Sequence, residues 1–290
     1  MRILFAIPHY FANHAAAAYA SERGDAAGRT WAVRACLASI HQSFSAAQGL
    51  LDGRARPHSA NPRLSAEIDI RVCTTGDYHL VGQLGTGFTQ VPTGAAPQLL
   101  GFECHKVLRA GLGRYDYFAY MEDDLRLADP LLFAKLAWFA EAFGDDVLLQ
   151  PNRFELLAEP APYKLYIDGN LYDPQVSHRL QHIADRRRLE ASIFGRPFIF
   201  ERVVNPHSGC FFLNAAQFAH WASQPDFAEP SDRFCDPLAS AATLGIMQYF
   251  RVYKPARENA GFLEIEHLDP RYLGRQLHIV GRQPTVLRWN

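Results

Sequence analysis

Tyr115-Asp116-Tyr117-Phe118-Ala119-Tyr120-Met121-Glu122-Asp123-Asp124-Leu125 carries an unbroken apolar run, Tyr117–Met121, directly into three adjacent carboxylates. Such a run reads as a buried strand of a parallel sheet. In these sheets ligands bind beyond the carboxyl ends of the strands. Neighbouring acids at that position repel one another unless a cation neutralises them. An all-oxygen set suits Mg²⁺ or Mn²⁺, ions that also bridge to substrate phosphates. The matching chemistry is departure of a phosphate ester or a diphosphate, with the metal as Lewis acid. The competing reading makes Glu122–Asp124 a cap for the next helix. Asp129-Pro130 already supplies that cap, so the metal reading is preferred.

Working outward, Ile3–Ile7 reads as a fully buried first strand closed by Pro8, and Ile68, Ile70 and Val72 alternate as a second. Between them Trp31, Val33, Leu37, Ile40 and Phe44 recur at helical spacing over Arg29–Ser43. Residues 45–66, rich in Ser, Gly, Pro and Arg, read as a loop, and so does 82–98. Helices are expected over Leu99–Leu112 and Pro130–Phe143, with a short strand at Val147–Leu149. Later come a strand at Tyr163–Ile167, a helix over 174–194, a strand at Cys210–Leu213, helices at Asn214–Trp221 and 235–247, and a strand at Arg251–Tyr253. Strands alternating with helices predict an α/β/α sandwich of Rossmann type with a mostly parallel central sheet. No linker divides the 290 residues, so a single domain is expected.

The composition narrows the function. There are 29 Lys and Arg against 30 Asp and Glu, a net charge of -1, which argues against a general nucleic-acid binder. The five cysteines are widely spaced and odd in number, which disfavours a disulfide framework or a zinc site. No apolar stretch reaches the length of a membrane span. Ala18-Tyr19-Ala20 mimics a signal cleavage site, but Pro8, His9, Asn13 and His14 interrupt the preceding run, so a first core strand is favoured over a leader. Gly82, Gly85 and Gly87 lack the spacing of a dinucleotide fingerprint.

At the acid cluster the chain resembles the GT-A glycosyltransferases. Tyr120-Met121-Glu122-Asp123-Asp124-Leu125-Arg126-Leu127-Ala128-Asp129-Pro130 is similar to their DXD element. Ile3-Leu4-Phe5-Ala6-Ile7-Pro8-His9-Tyr10 resembles the first strand and Pro-x-Tyr turn that hold the nucleotide base. Asn205-Pro206-His207-Ser208-Gly209-Cys210-Phe211-Phe212-Leu213 resembles the Gly-containing strand before the acceptor helix, and Glu266-His267-Leu268-Asp269-Pro270-Arg271-Tyr272 falls where many members place a metal-completing His. The second strand ends in Thr74-Thr75-Gly76-Asp77 without the usual adjacent acid pair, and the Glu-Asp pair that commonly precedes the acceptor helix is absent.

The resemblance implies a GT-A-like fold in which 1–150 bind the nucleotide sugar and 151–290 the acceptor. It implies that Asp124 ligates Mn²⁺ or Mg²⁺ and that His267 is the further ligand, with His278 its competitor. Asp123 is expected to contact the ribose, or the metal through water, with Glu122 behind it. Pro8 and Tyr10 are expected at the base, and Asp77 at the base or ribose. His105, Lys106 and Arg109, on the helix before the acid strand, are candidates of which one reaches the diphosphate, since cationic side chains favour phosphates. A solvated helix face is the preferred reading for some of them.

If the anomeric centre inverts, a carboxylate must take the acceptor proton. Asp236, in Phe234-Cys235-Asp236-Pro237, is the first candidate, with Asp232 and Glu229 nearby, against a plain N-cap. If configuration is retained, Glu155 or His207 lines the sugar site instead. Arg186-Arg187-Arg188 reads as a solvated helix face rather than a phosphate or membrane contact. The expected function is metal-dependent transfer of a sugar from a UDP- or GDP-sugar to a glycan or lipid-linked acceptor. Building of a surface glycan in the cytoplasm, peripheral to the inner face of the membrane, extends it by fold analogy. The competing functions are a nucleotidyltransferase or phosphohydrolase on a similar sheet, and a non-catalytic carbohydrate-binding protein.

Overall fold

The computed structural model describes residues 1–12, 25–157, 162–269 and 271–273. In chain order the first half forms β1 (Arg2–Pro8), α1 (Ala26–Phe44), β2 (Gly49–Leu51), β3 (Pro57–Ser59), β4 (Glu67–Thr75), β5 (Thr89–Thr93), α2 (Leu100–Arg109), β6 (Tyr117–Met121), β7 (Leu125–Arg126), α3 (Leu132–Phe143) and β8 (Val147–Leu149). The second half adds β9 (Asn152–Leu157), β10 (Tyr163–Tyr166), α4 (Gln175–His178), β11 (Arg188–Ile193), β12 (Arg196–Arg202), β13 (Cys210–Asn214), α5 (Ala215–Ala222), α6 (Pro237–Tyr249), β14 (Arg251–Pro255) and β15 (Glu264–His267).

The central sheet runs β13-β6-β1-β4-β5. Every pairing in it is parallel except that of β13, which lies antiparallel on β6. Alternate residues of a strand point to opposite faces. Ile3, Phe5 and Ile7 of β1 and Tyr117, Ala119 and Met121 of β6 therefore join one core with α1 and α3. Leu4, Ala6, Phe118 and Tyr120 join the other, with α2, α5 and α6. This is the expected α/β/α sandwich, and it explains why Ile3–Ile7 of β1 and all of β6 are apolar.

Two smaller sheets extend it, β10-β9-β15-β7 and β11-β12-β14-β8. The first matters for function. Its short β7–β15 ladder pairs Leu125 with His267 and Arg126 with Glu266, and its β9–β15 ladder pairs Phe154 with Glu266. These rungs draw the late segment back onto the end of β6.

Several expected elements differ. The helix over 174–194 is confined to Gln175–His178, and Arg188 opens a strand. Ile193 pairs with Arg196, leaving Phe194-Gly195 as a two-residue turn with both residues at positive φ. That tight turn and the alternating Leu189, Ala191 and Ile193 decide for a hairpin. The 82–98 segment contains β5, an edge strand in which Pro92 is tolerated because an edge leaves one side unpaired. The 45–66 loop contains the exposed β2–β3 hairpin. The Ala18-Tyr19-Ala20 and His278 readings lie outside the described residues.

No described helix is long and apolar enough to cross a membrane.

Candidate functional site

Beyond the C-terminal ends of β1 and β6 opens a cleft of about 660 Å³. Its wall includes Pro8, Tyr10, Glu122, Asp123, Asp124, Asp236 and His267, together with Arg29, Arg153, His207 and Arg271. Eight of the residues expected at the site, His207 among them, thus share one cleft. Asp77, His105, Lys106, Arg109 and Glu155 do not line it. Lys106 is paired with Glu103 at 2.7 Å on the exposed side of α2, and Arg109 lies 5.2 Å over the Phe227 ring. Asp77 sits in the turn after β4, where its carbonyl accepts from His79 N–H. Tyr10 packs against Tyr78 with ring centroids 5.8 Å apart.

The acids are buried and neutralised by named partners. Leu80 N–H donates to His9 Nε2 at 2.9 Å, so the proton of that ring sits on Nδ1, which donates to Asp123 Oδ2 at 2.6 Å. Arg29, in the first turns of α1, donates to Asp123 Oδ1 and, at 3.2 Å, to Asp124 Oδ2. Burial opposes the charge on Arg29, but Asp123 and Asp124 outweigh it and raise its pKa further. Burial likewise favours a neutral Asp124, yet His267 and Arg29 hold its carboxyl below the usual range. Glu122 goes the other way: burial, and after it the Asp124 charge, raise its pKa.

Glu122 occupies space that glycine alone provides. Gly209 has φ +63°, and a Cβ there would stand 2.5 Å from Glu122 Oε2. Gly209 C=O also accepts the Glu122 N–H at 2.9 Å.

His267 reaches Asp124 through the β7–β15 rungs, reinforced by a 2.8 Å bond from Leu268 N–H to Asp124 C=O. Its Nδ1 donates to Glu155 Oε1 at 3.1 Å, and its Nε2 stands 4.0 Å from Asp124 Oδ2. Burial pulls the His267 pKa down, but the Glu155 bond and the Asp124 charge prevail and raise it. Glu155 is fully buried and also accepts the backbone N–H groups of Tyr272 and Leu273. It therefore stands behind His267 instead of facing the cleft.

On β9, the strand paired with β15, Arg153 is held by Asp168, which accepts its Nε at 2.8 Å and its backbone N–H at 2.9 Å. Lys254 Nζ joins Asp168 at 2.6 Å and donates to His207 C=O at 2.6 Å. Burial would raise the Asp168 pKa, but Arg153 and Lys254 draw it down to about 2. His207 is locked by a 2.9 Å bond between Nδ1 and Thr243 Oγ1, and burial depresses its pKa strongly. Asp236 is both N-cap and cleft wall: Oδ1 accepts Ala239 N–H at 2.7 Å, ahead of Pro237 at the first helical position.

Among the described residues no three His, Cys, Asp or Glu side chains converge as a ready metal-holding group. The donor set nevertheless fits a hard divalent cation. Asp124 Oδ1 is buried and accepts no hydrogen bond from a described residue. His267 is oriented by a carboxylate on its far nitrogen, the usual outer support of a ligating imidazole. Two protein ligands suffice for an ion that completes its sphere with water and substrate phosphates.

Sequence reasoning missed His9, Arg29 and Asp168. Arg29 lay inside the expected amphipathic helix and His9 followed a strand-ending proline, and no local pattern singles either out as a partner of the acids.

No family model and no curated protein matches the sequence. Solved structures resemble it at low identity. S. aureus TarS, residues 1–349, aligns at 10% identity over 97% of this chain and 64% of that one, with a TM-score of 0.43. The same fragment in complex with UDP-GlcNAc gives 11%, 88%, 56% and 0.40. A CMP:2-keto-3-deoxy-manno-octonic acid synthetase complexed with CTP gives 10%, 97%, 98% and 0.40. Mouse xyloside xylosyltransferase 1 gives 10%, 87%, 80% and 0.36. The chain thus spans under two thirds of the TarS fragment and 35% of the longer TarS chain. At these scores the likeness establishes neither a family nor an activity.

Proposed function

We propose that this chain is a metal-dependent glycosyltransferase of the GT-A kind that moves a sugar from a UDP- or GDP-sugar to a glycan or lipid-linked hydroxyl acceptor. One observation carries the reading. The acids that follow β6 lie in a cleft at the carboxyl edge of the parallel sheet, with an Asp124 oxygen that no described residue partners beside an oriented His267.

Residues 1–150 hold the donor and 151–290 the acceptor. Asp124 and His267 hold Mn²⁺ or Mg²⁺, which supplies Lewis-acid stabilisation of the departing diphosphate. Asp123, fixed by His9 and Arg29, faces the nucleotide, and Tyr10 supplies an aromatic wall near Pro8. Arg153 presents positive charge to the developing phosphate charge. If the anomeric centre inverts, Asp236 takes the acceptor proton as the bond from the anomeric carbon to the diphosphate breaks; with Oδ1 committed to its cap, Oδ2 is the accepting oxygen. A site in the cytoplasm, peripheral to a membrane face, and a role in surface glycan assembly extend the proposal.

The test is a thermal-shift screen of UDP-, GDP-, CMP- and dTDP-sugars with and without Mn²⁺, followed by product assay. A donor at one hundred times its Kd stabilises the fold by about 2.7 kcal/mol. One sugar nucleotide should raise Tm only with metal, lose the effect in Asp124→Ala, and release a nucleoside diphosphate on transfer. Release of pyrophosphate from a nucleoside triphosphate, or hydrolysis without transfer to any acceptor, would overturn the reading.

A further inference from the structure

Arg29 occupies the charge position that the proposed metal needs. It reaches from α1 to both members of the acid pair, Asp123 Oδ1 with one terminal nitrogen and Asp124 Oδ2 with the other. Its side chain is only 9% exposed. A guanidinium spanning two carboxylates is among the stronger charge-assisted contacts, because its donors form a rigid fork. Among the described residues none donates to the other Asp124 oxygen, Oδ1. An ion bound there, between Asp124 and His267, adds two positive charges next to a buried guanidinium that has little water to screen it.

We propose that Arg29 is the resident counter-ion of the acid pair and sets how tightly the site takes a divalent cation. The inference rests on the donor-site reading above. Its content is competition: Arg29 already places positive charge on both carboxylates, so the ion must either displace the guanidinium from Asp124 or bind against its charge. The site is consequently weak for metal alone. A neutral side chain at position 29 removes that charge and leaves Asp123 with His9 and Asp124 with His267, and a bound ion then supplies the missing positive charge.

The experiment measures Mn²⁺ uptake by loss of the free-ion electron paramagnetic resonance signal, in the wild type, R29M and R29K, with and without UDP. R29M, which keeps the length and loses the charge, should bind Mn²⁺ at least tenfold more tightly than the wild type. R29K, whose single ammonium lacks the fork that spans both carboxylates, should fall between them. If R29M melts low without metal, Mn²⁺ should raise its Tm more than it raises that of the wild type. Equal or weaker Mn²⁺ binding by R29M, or a low Tm that Mn²⁺ leaves unchanged, overturns the inference; retained UDP binding then leaves the donor reading standing. Failure of every form to take up Mn²⁺ even with UDP removes the metal reading and this inference together.

Discussion

His267 donates Nδ1–H to Glu155 across 3.1 Å and so turns Nε2 toward Asp124. The two residues are 112 positions apart, and the parallel β9–β15 ladder brings them together. Glu155 also accepts two backbone N–H groups, from Tyr272 and Leu273, which leaves it little freedom to move.

Glu155→Gln should therefore weaken Mn²⁺ binding about 10–100-fold, the usual range when the group behind a ligating imidazole is altered. The amide puts a donor where Leu273 N–H needs an acceptor, or else removes the acceptor from Nδ1. Titration of Mn²⁺ against variant and wild type reads the effect, and an unchanged affinity would show that His267 does not ligate.

Asp168 is the shared carboxylate partner of Arg153 and Lys254. Removing one partner of such a cluster leaves unpaired buried charge, which costs about 3–5 kcal/mol. Asp168→Asn should lose stability in that range in urea unfolding at pH 7.

The same carboxylate titrates at about 2 in the folded chain, below the ordinary value near ~3.9. Its stabilisation is complete above about pH 4 and disappears as pH falls through about 2, an effect on the order of 2–3 kcal/mol. The acid limb of the stability curve should flatten in Asp168→Asn; an identical limb would place the pH dependence elsewhere.

His105 is buried among the rings of Phe102, Tyr120, Phe211, Trp221 and Phe227, and its Nε2 donates to Ala241 C=O at 2.9 Å. Burial depresses its pKa to about 4 against the opposing Ala241 bond. Between the unfolded value near ~6.5 and about 4, the unfolded chain takes up a proton that the folded chain refuses. Stability contributed at this position is thus whole above about pH 6.5 and falls as pH drops toward 4. Urea unfolding at pH 7.5 and pH 5 should show a smaller difference in His105→Gln than in the wild type.

Gly209→Ala combines a left-handed backbone with a Cβ 2.5 Å from Glu122 Oε2. A non-glycine residue in that conformation costs roughly 1–2 kcal/mol by itself, and the collision adds to it. A cycle with Glu122→Ala separates the two, because removing the carboxylate should relieve the collision and leave the backbone cost. Strict additivity of the two substitutions would show that the side chains do not meet.

Local regularities reached a good part of this protein. The apolar runs of β1 and β6, the alternation in β4, and the helical spacing of α1, α2 and α3 each depend on neighbours in the chain, so they were legible without coordinates. The acids at the end of β6 were legible for the same reason: a buried strand that stops at three carboxylates places them on the sheet edge. Over 174–194 the charged residues mask a weak alternation, and the Phe194-Gly195 turn at positive φ decides for strand over helix from Arg188 onward.

What neutralises those acids, and what stands behind them, belonged to the tertiary structure. Arg29 meets Asp123 over 94 positions, His9 meets it over 114, and Glu155 meets His267 over 112. Strand and helix periodicities extend over a few residues and carry no information at such separations. The parallel β1–β6 pairing sets the His9 encounter, the packing of α1 against the end of β6 and β7 that of Arg29, and the β9–β15 pairing that of Glu155; each brings together residues that the one-dimensional pattern leaves unrelated.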